Sequence, residues 1–140
     1  MYDVIIVPTD GSEAAETAAE HGVAQAAAHD AHLVFLAVVE MSGGAAPETR
    51  GGDAVEDQRK DRRAHVESLV EQADEAGVDA EGVVETGVPS QVILEQASTR
   101  GADLLVMATQ ARSGVGRFLF GSVTEQTIRD GDTPVLAIQR

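Results

Sequence analysis

Residues Leu104–Ile138 read LLVMATQARSGVGRFLFGSVTEQTIRDGDTPVLAI. Leu104 to Ala108 is an apolar run, too short for a helix and bounded by polar residues. That is the pattern of a strand buried on both faces. A glycine-rich loop with two arginines follows, Arg112-Ser113-Gly114-Val115-Gly116-Arg117. Gly121-Ser122 then opens a helix, because Ser122 and Glu125 have the S-x-x-E spacing of a capping box. Thr133-Pro134 closes the connection, and Val135 to Ile138 is a second apolar strand. Strand, glycine loop and helix start together form a geometry that can hold an anion. The first-turn N–H groups lack partners within the helix, and the helix dipole favours negative charge there.

Outward from this stretch the same alternation repeats. Asp3 to Val7 is a β-branched strand, ended by Pro8-Thr9-Asp10-Gly11-Ser12. Ser12 is a good N-cap with Glu13 and Glu16 behind it, and Ala15, Ala19, Gly22, Val23 and Ala26 recur at helical spacing. His32 to Val39 contains the second strand. Met41 through Gly52 is a long connection, of the kind that forms a lid or stays mobile. Asp53 to Ala76 carries Val66, Leu69, Val70 and Ala73 on one helical face, stopped by Gly77. Residues 79–86 form a weak strand, broken by Gly82 and placed near an edge. Pro89 suits the first turn of a helix over Ser90–Thr99, with Val92, Ile93 and Ala97 inward and Gly101 as its end. Strands alternating with helices imply an α/β fold with a parallel sheet. Such sheets bind ligands beyond the carboxyl ends of their strands.

These residues resemble the universal stress protein family. The family's C-terminal frame is an apolar strand, M-G-x-x-G, nine residues, then G-[ST]. Here it stands as Met107-Ala108-Thr109-Gln110-Ala111, then the nine residues Arg112 to Phe120, then Gly121-Ser122. The spacing is kept, and alanines replace the first two glycines at Ala108 and Ala111. Val7-Pro8-Thr9-Asp10-Gly11-Ser12 and Thr86-Gly87-Val88-Pro89 extend the likeness over nearly the whole chain. The resemblance implies a three-layer doubly wound domain with strand order 3-2-1-4-5, its switch point between the first and fourth strands. It also implies an adenine-nucleotide site for ATP or a related nucleotide with magnesium, weakened where the glycines are lost. Two further implications are a homodimer paired through the C-terminal strand and a regulatory role. The alternative is a non-nucleotide dimerisation or interaction domain on the same fold.

The resemblance places Pro8, Asp10, Val38, Met107, Ala108, Ala111, Arg112, Gly121, Ser122 and Val123 at the nucleotide. Each has a structural reading beside the functional one. Asp10 flanks the nucleotide or simply makes an Asp-Gly turn. Val38 covers the base or is a buried strand residue. Ser122 receives phosphate or caps its helix. Arg112 and Arg117 pair with phosphate oxygens or with this chain's many carboxylates. Gly114 and Gly116 admit a close backbone approach or form a turn.

Composition narrows the classes. At 140 residues the chain suits one domain, residues 1–140. The net charge of −14 argues against nucleic acid, whose phosphates seek basic surfaces. No long apolar segment or signal-peptide pattern is present, so neither a membrane span nor export is expected. There is no cysteine, which fits the cytoplasm and removes thiolate chemistry. Lys60 is the one lysine against nine arginines, and this acid-rich, lysine-poor balance suggests adaptation to high salt. No G-x-x-x-x-G-K-[ST] sequence and no dinucleotide fingerprint occurs. The four histidines, His21, His29, His32 and His65, show no metal-ligand spacing. No nucleophile, acid and base set is apparent, so no catalytic residue is assigned and the chain is not read as an enzyme.

Overall fold

The computed structural model describes residues 1–40, 51–109 and 119–139, the side chains of 51–53 and 119–121 excepted. The elements run β1 (Val4–Thr9), α1 (Glu13–His29), β2 (His32–Glu40), α2 (Gly51–Glu75), β3 (Ala80–Gly87), α3 (Pro89–Arg100), β4 (Leu104–Thr109), α4 (Leu119–Asp130) and β5 (Val135–Gln139). All strand pairs are parallel, and the sheet order is β3-β2-β1-β4-β5. The alternation predicts the parallel sheet, and the family resemblance implies this doubly wound strand order.

Side-chain alternation along the strands builds two cores. Ile5, Val7, Leu33, Phe35, Ala37, Val39, Val106 and Ala108 face α1 and α2. Ile6, Val34, Leu36, Leu105 and Met107 face the other layer, with Val92, Ile93 and Ala97 of α3 and Val123 of α4. The small-residue face of α1 lets it lie close on the sheet. A Cβ on Gly22 would overlap the Val7 side chain. Local signals fix the helix ends. The Ser12 hydroxyl accepts the Ala15 N–H at 3.1 Å. Gly77 takes a left-handed φ of 79°, and the Val78 N–H reaches back to the Ala73 carbonyl at 2.9 Å. Gly101 ends α3 in the same way, with φ 65°.

Three expectations are corrected. β3 is a continuous edge strand, and Gly82 does not break it. A Cβ there would stand 2.7 Å from Val66 Cγ2, so the glycine makes room for α2. Pro8 and Thr9 extend β1 instead of ending it. The Asp3 carbonyl accepts the His32 N–H on the β2 side and the Val4 carbonyl accepts the Asp103 N–H on the β4 side, so alternation turns the Pro8 nitrogen toward β4. Pairing of β1 with β4 covers Ile5–Leu104 and Ile6–Leu105, so Pro8 lies beyond it and its missing N–H costs no ladder bond. Finally, α4 begins at Leu119, two residues before Gly121. Ser122 is therefore inside the helix and not its N-cap. The helix runs through Phe120 and Gly121 before it reaches Ser122, so the S-x-x-E pattern does not set the boundary.

Candidate functional site

The parting of β1 from β4 defines the site. β1 stays paired with β2 through Thr9, while β4 pairs with β5 through Thr109. Beyond Ile6 and Leu105 the two central strands therefore diverge at their carboxyl ends. A cavity of about 480 Å³ opens over the ends of β1 and β2, within the range of small-ligand sites. Pro8, Leu36 and Val38, on alternate positions of one sheet face, make an apolar floor. Ile93 of α3 and Val123 of α4 close it from the facing layer. Thr9, Asp10 and Glu40 at the strand ends, with Gln58 and Arg62 of α2, supply the polar wall.

The α2 side chains are sorted by helical geometry. Arg59 and Arg63, four residues apart, reach the β3 edge. Arg59 donates to Thr86 Oγ1 at 2.7 Å and Arg63 to the Gly82 carbonyl at 3.1 Å. Gln58 and Arg62, also four apart, fall on the neighbouring stripe and face the cavity. His65 Nε2 lies 3.0 Å from Thr9 Oγ1, which ties α2 to the end of β1. Arg62 Nε is buried and has no hydrogen-bond partner among the described residues.

Of the residues placed at the site from sequence, Pro8, Asp10, Val38 and Val123 meet in this cavity. Asp10 also performs the turn role, since its Oδ1 accepts the Ser12 N–H at 2.9 Å. Met107 and Ala108 do not line the cavity. Both are buried strand residues, Met107 in the α3 and α4 core and Ala108 in the α1 and α2 core. Ser122 is exposed on α4 and outside the lining, and Gly121 belongs to the first turn of that helix. Ala111, Arg112, Arg117 and the glycine loop lie outside the described residues, as does residue range 41–50. Sequence reading missed Thr9, Leu36, Glu40, Gln58, Arg62, Pro89 and Ile93. Pro89 and Ile93 were read as helix start and core. Gln58 and Arg62 had no local signal to separate them from Arg59 and Arg63 beside them.

Among the described residues, no group of three or more His, Cys, Asp or Glu side chains is arranged to hold a metal. No described helix is long and apolar enough to cross a membrane.

An open parallel sheet with this order, and a crevice over the carboxyl ends of β1 and β2, defines a doubly wound α/β domain. The description "Universal stress protein family" matches residues 1–139. The chain belongs to that family. It is 32% identical to universal stress protein MJ0531 of Methanocaldococcus jannaschii, over all of this chain and 84% of the relative. The solved structure of protein MJ0577 from the same organism superposes with a TM-score of 0.87 at 26% identity, covering 100% of this chain and 97% of the other. A crystal structure of a universal stress protein in complex with cAMP is similar at 25% identity and TM-score 0.67, covering 98% and 96% of the two chains.

Proposed function

We propose that this chain is a regulatory binding module that holds an adenine nucleotide in the crevice over β1 and β2. The observation that carries the reading is the cavity itself. It joins an apolar slot of Pro8, Leu36 and Val38 to a polar wall at the point where β1 and β4 part. A flat ring fits the slot, with Val38 beneath one face and Val123 across from it. The ribose lies by Asp10, and the phosphates extend toward the first turn of α4, where N–H groups, that of Gly121 included, have no partner within the helix. Support also comes from the cAMP bound by a family relative. Magnesium enters with the phosphates of ATP, since the described residues offer no metal cage of their own.

The module acts as a binding switch and not as an enzyme in this reading, and it works in the cytoplasm as a homodimer. β5 is an edge strand with Val135 and Leu136 only partly covered, which suits pairing with a second copy. A second reading, an interaction domain without nucleotide, is favoured by Ala111 in place of the family's second glycine. Thermal melting in molar salt separates the two. Millimolar ATP raises the melting temperature if it binds the folded state, while inorganic triphosphate at equal ionic strength does not. Equal melting curves with and without ATP would favour the second reading.

A further inference from the structure

We infer that Arg62 of α2 is a specificity-determining residue, whose Nε–H is aimed at an acceptor on the edge of the ring seated in the slot. The inference rests on the nucleotide reading above and names a residue that the family frame does not. The first support is the state of the side chain. Arg62 lines the cavity, and its Nε is buried without a hydrogen-bond partner among the described residues. A buried donor left unmade is costly, and a bound acceptor relieves that cost. The second support is the contrast within one helical turn. Arg59 and Arg63 donate to Thr86, Val84 and Gly82 on β3, whereas Arg62 is turned the other way, beside Gln58.

The wall also tells a ring edge from a phosphate. Asp10 and Glu40 face the same cavity, and neither forms an ion pair with Arg62 among the described residues. Two carboxylates in one wall oppose a phosphate placed there, and leave a neutral ring nitrogen or carbonyl unaffected. Arginine presents its Nε–H in a fixed plane, which suits the edge of an aromatic ring. Gln58, with both a donor and an acceptor, stands one turn away to meet the neighbouring ring atom.

The test compares adenosine with ATP by calorimetric titration of the intact chain and of Arg62→Met and Arg62→Lys. Arg62→Met should weaken both ligands about equally, by about tenfold or more. Arg62→Lys should recover only part of the loss, because an ammonium cannot place a donor in that plane. A loss seen with ATP and absent with adenosine would assign Arg62 to phosphate and overturn the inference. Unchanged affinity with a lowered melting temperature of the ligand-free Arg62→Met variant would show a structural role and also overturn it. If the unmutated chain binds neither ligand, the nucleotide reading fails and this inference fails with it.

Discussion

The Thr124 hydroxyl donates a 2.8 Å hydrogen bond to the backbone carbonyl of Ala108, and the contact is buried. It joins the second turn of α4 to the end of β4. The two elements that bracket the glycine-rich loop are thus held together independently of the loop. Valine has nearly the shape of threonine but no donor. Thr124→Val should lower stability by about 1–2 kcal/mol, because a buried carbonyl loses a donor. Thermal melting should fall by a few degrees, and Thr124→Ser should restore most of it. An unchanged melting temperature in Thr124→Val would show that the bond adds nothing.

The two alanines should behave differently. Ala108 sits within β4, is 1% exposed and packs on the α1 side of the sheet. Asp30 is the one non-glycine with positive φ among the described residues, so Ala108 has ordinary strand backbone. Ala108→Gly should leave ATP affinity unchanged and cost about 0.5–1 kcal/mol of stability. Ala111→Gly should tighten ATP by about tenfold, roughly 1.4 kcal/mol. Calorimetric titration in molar salt of the single variants decides it. Tighter binding in Ala108→Gly would contradict this assignment.

Much of the fold was legible because its signals are local. Ser12, Gly77, Pro89 and Gly101 act on their own helix ends, and the structure shows each doing so. Pro8 was misread because a proline looks like a breaker until the strand's alternation shows that its nitrogen faces the open side. Gly82 was misread because its reason is the Val66 side chain of another element. The α4 start was misread because an S-x-x-E spacing also occurs inside a helix, where it marks no boundary. Of the residues that line the cavity, Pro8, Asp10, Val38 and Val123 were named through the family frame. Arg62 was not, because only tertiary packing separates it from Arg59 and Arg63.

His32 gives the chain a pH dependence at the amino-terminal ends of its strands. Its ring nitrogens meet Asp79 at 2.9 Å and Glu81 at 3.1 Å, and Arg100 joins Glu81 at 2.8 Å. Partial burial pulls the His32 pKa down, but the hydrogen bonds to Glu81 and Asp79 and their charges outweigh it and leave it raised. The Glu81 pKa is lowered, first by the His32 hydrogen bond and then, against some burial, by Arg100. A raised histidine stabilises fully below its unfolded value of 6.5 and loses the effect as pH climbs through its folded value. A lowered carboxylate stabilises fully above 4.5 and loses the effect as pH falls through its folded value. Both contributions are present between these limits. Against His32→Gln, the native chain should gain a fraction of 1 kcal/mol near pH 6 at low salt, shrinking toward pH 8. A difference that grows with pH would contradict the assignment.

Salt should matter more than any single pair. Acidic side chains number 24 against 10 basic ones, so the folded state repels itself at low ionic strength. The melting temperature should rise from millimolar to molar chloride at fixed protein concentration. Light scattering in molar salt should give the mass of a dimer paired through β5. A flat salt titration would count against adaptation to high salt, and a monomer mass would remove the edge-pairing proposal.

Filling the crevice tests the central claim most directly. Val38 forms the floor of the cavity and is only partly buried, so a larger side chain there projects into the slot. ATP should bind the native chain saturably in a calorimetric titration in molar salt. Val38→Trp should remove that heat while its ligand-free melting curve stays cooperative. Native-like ATP binding by a folded Val38→Trp chain would place the nucleotide elsewhere and contradict the account.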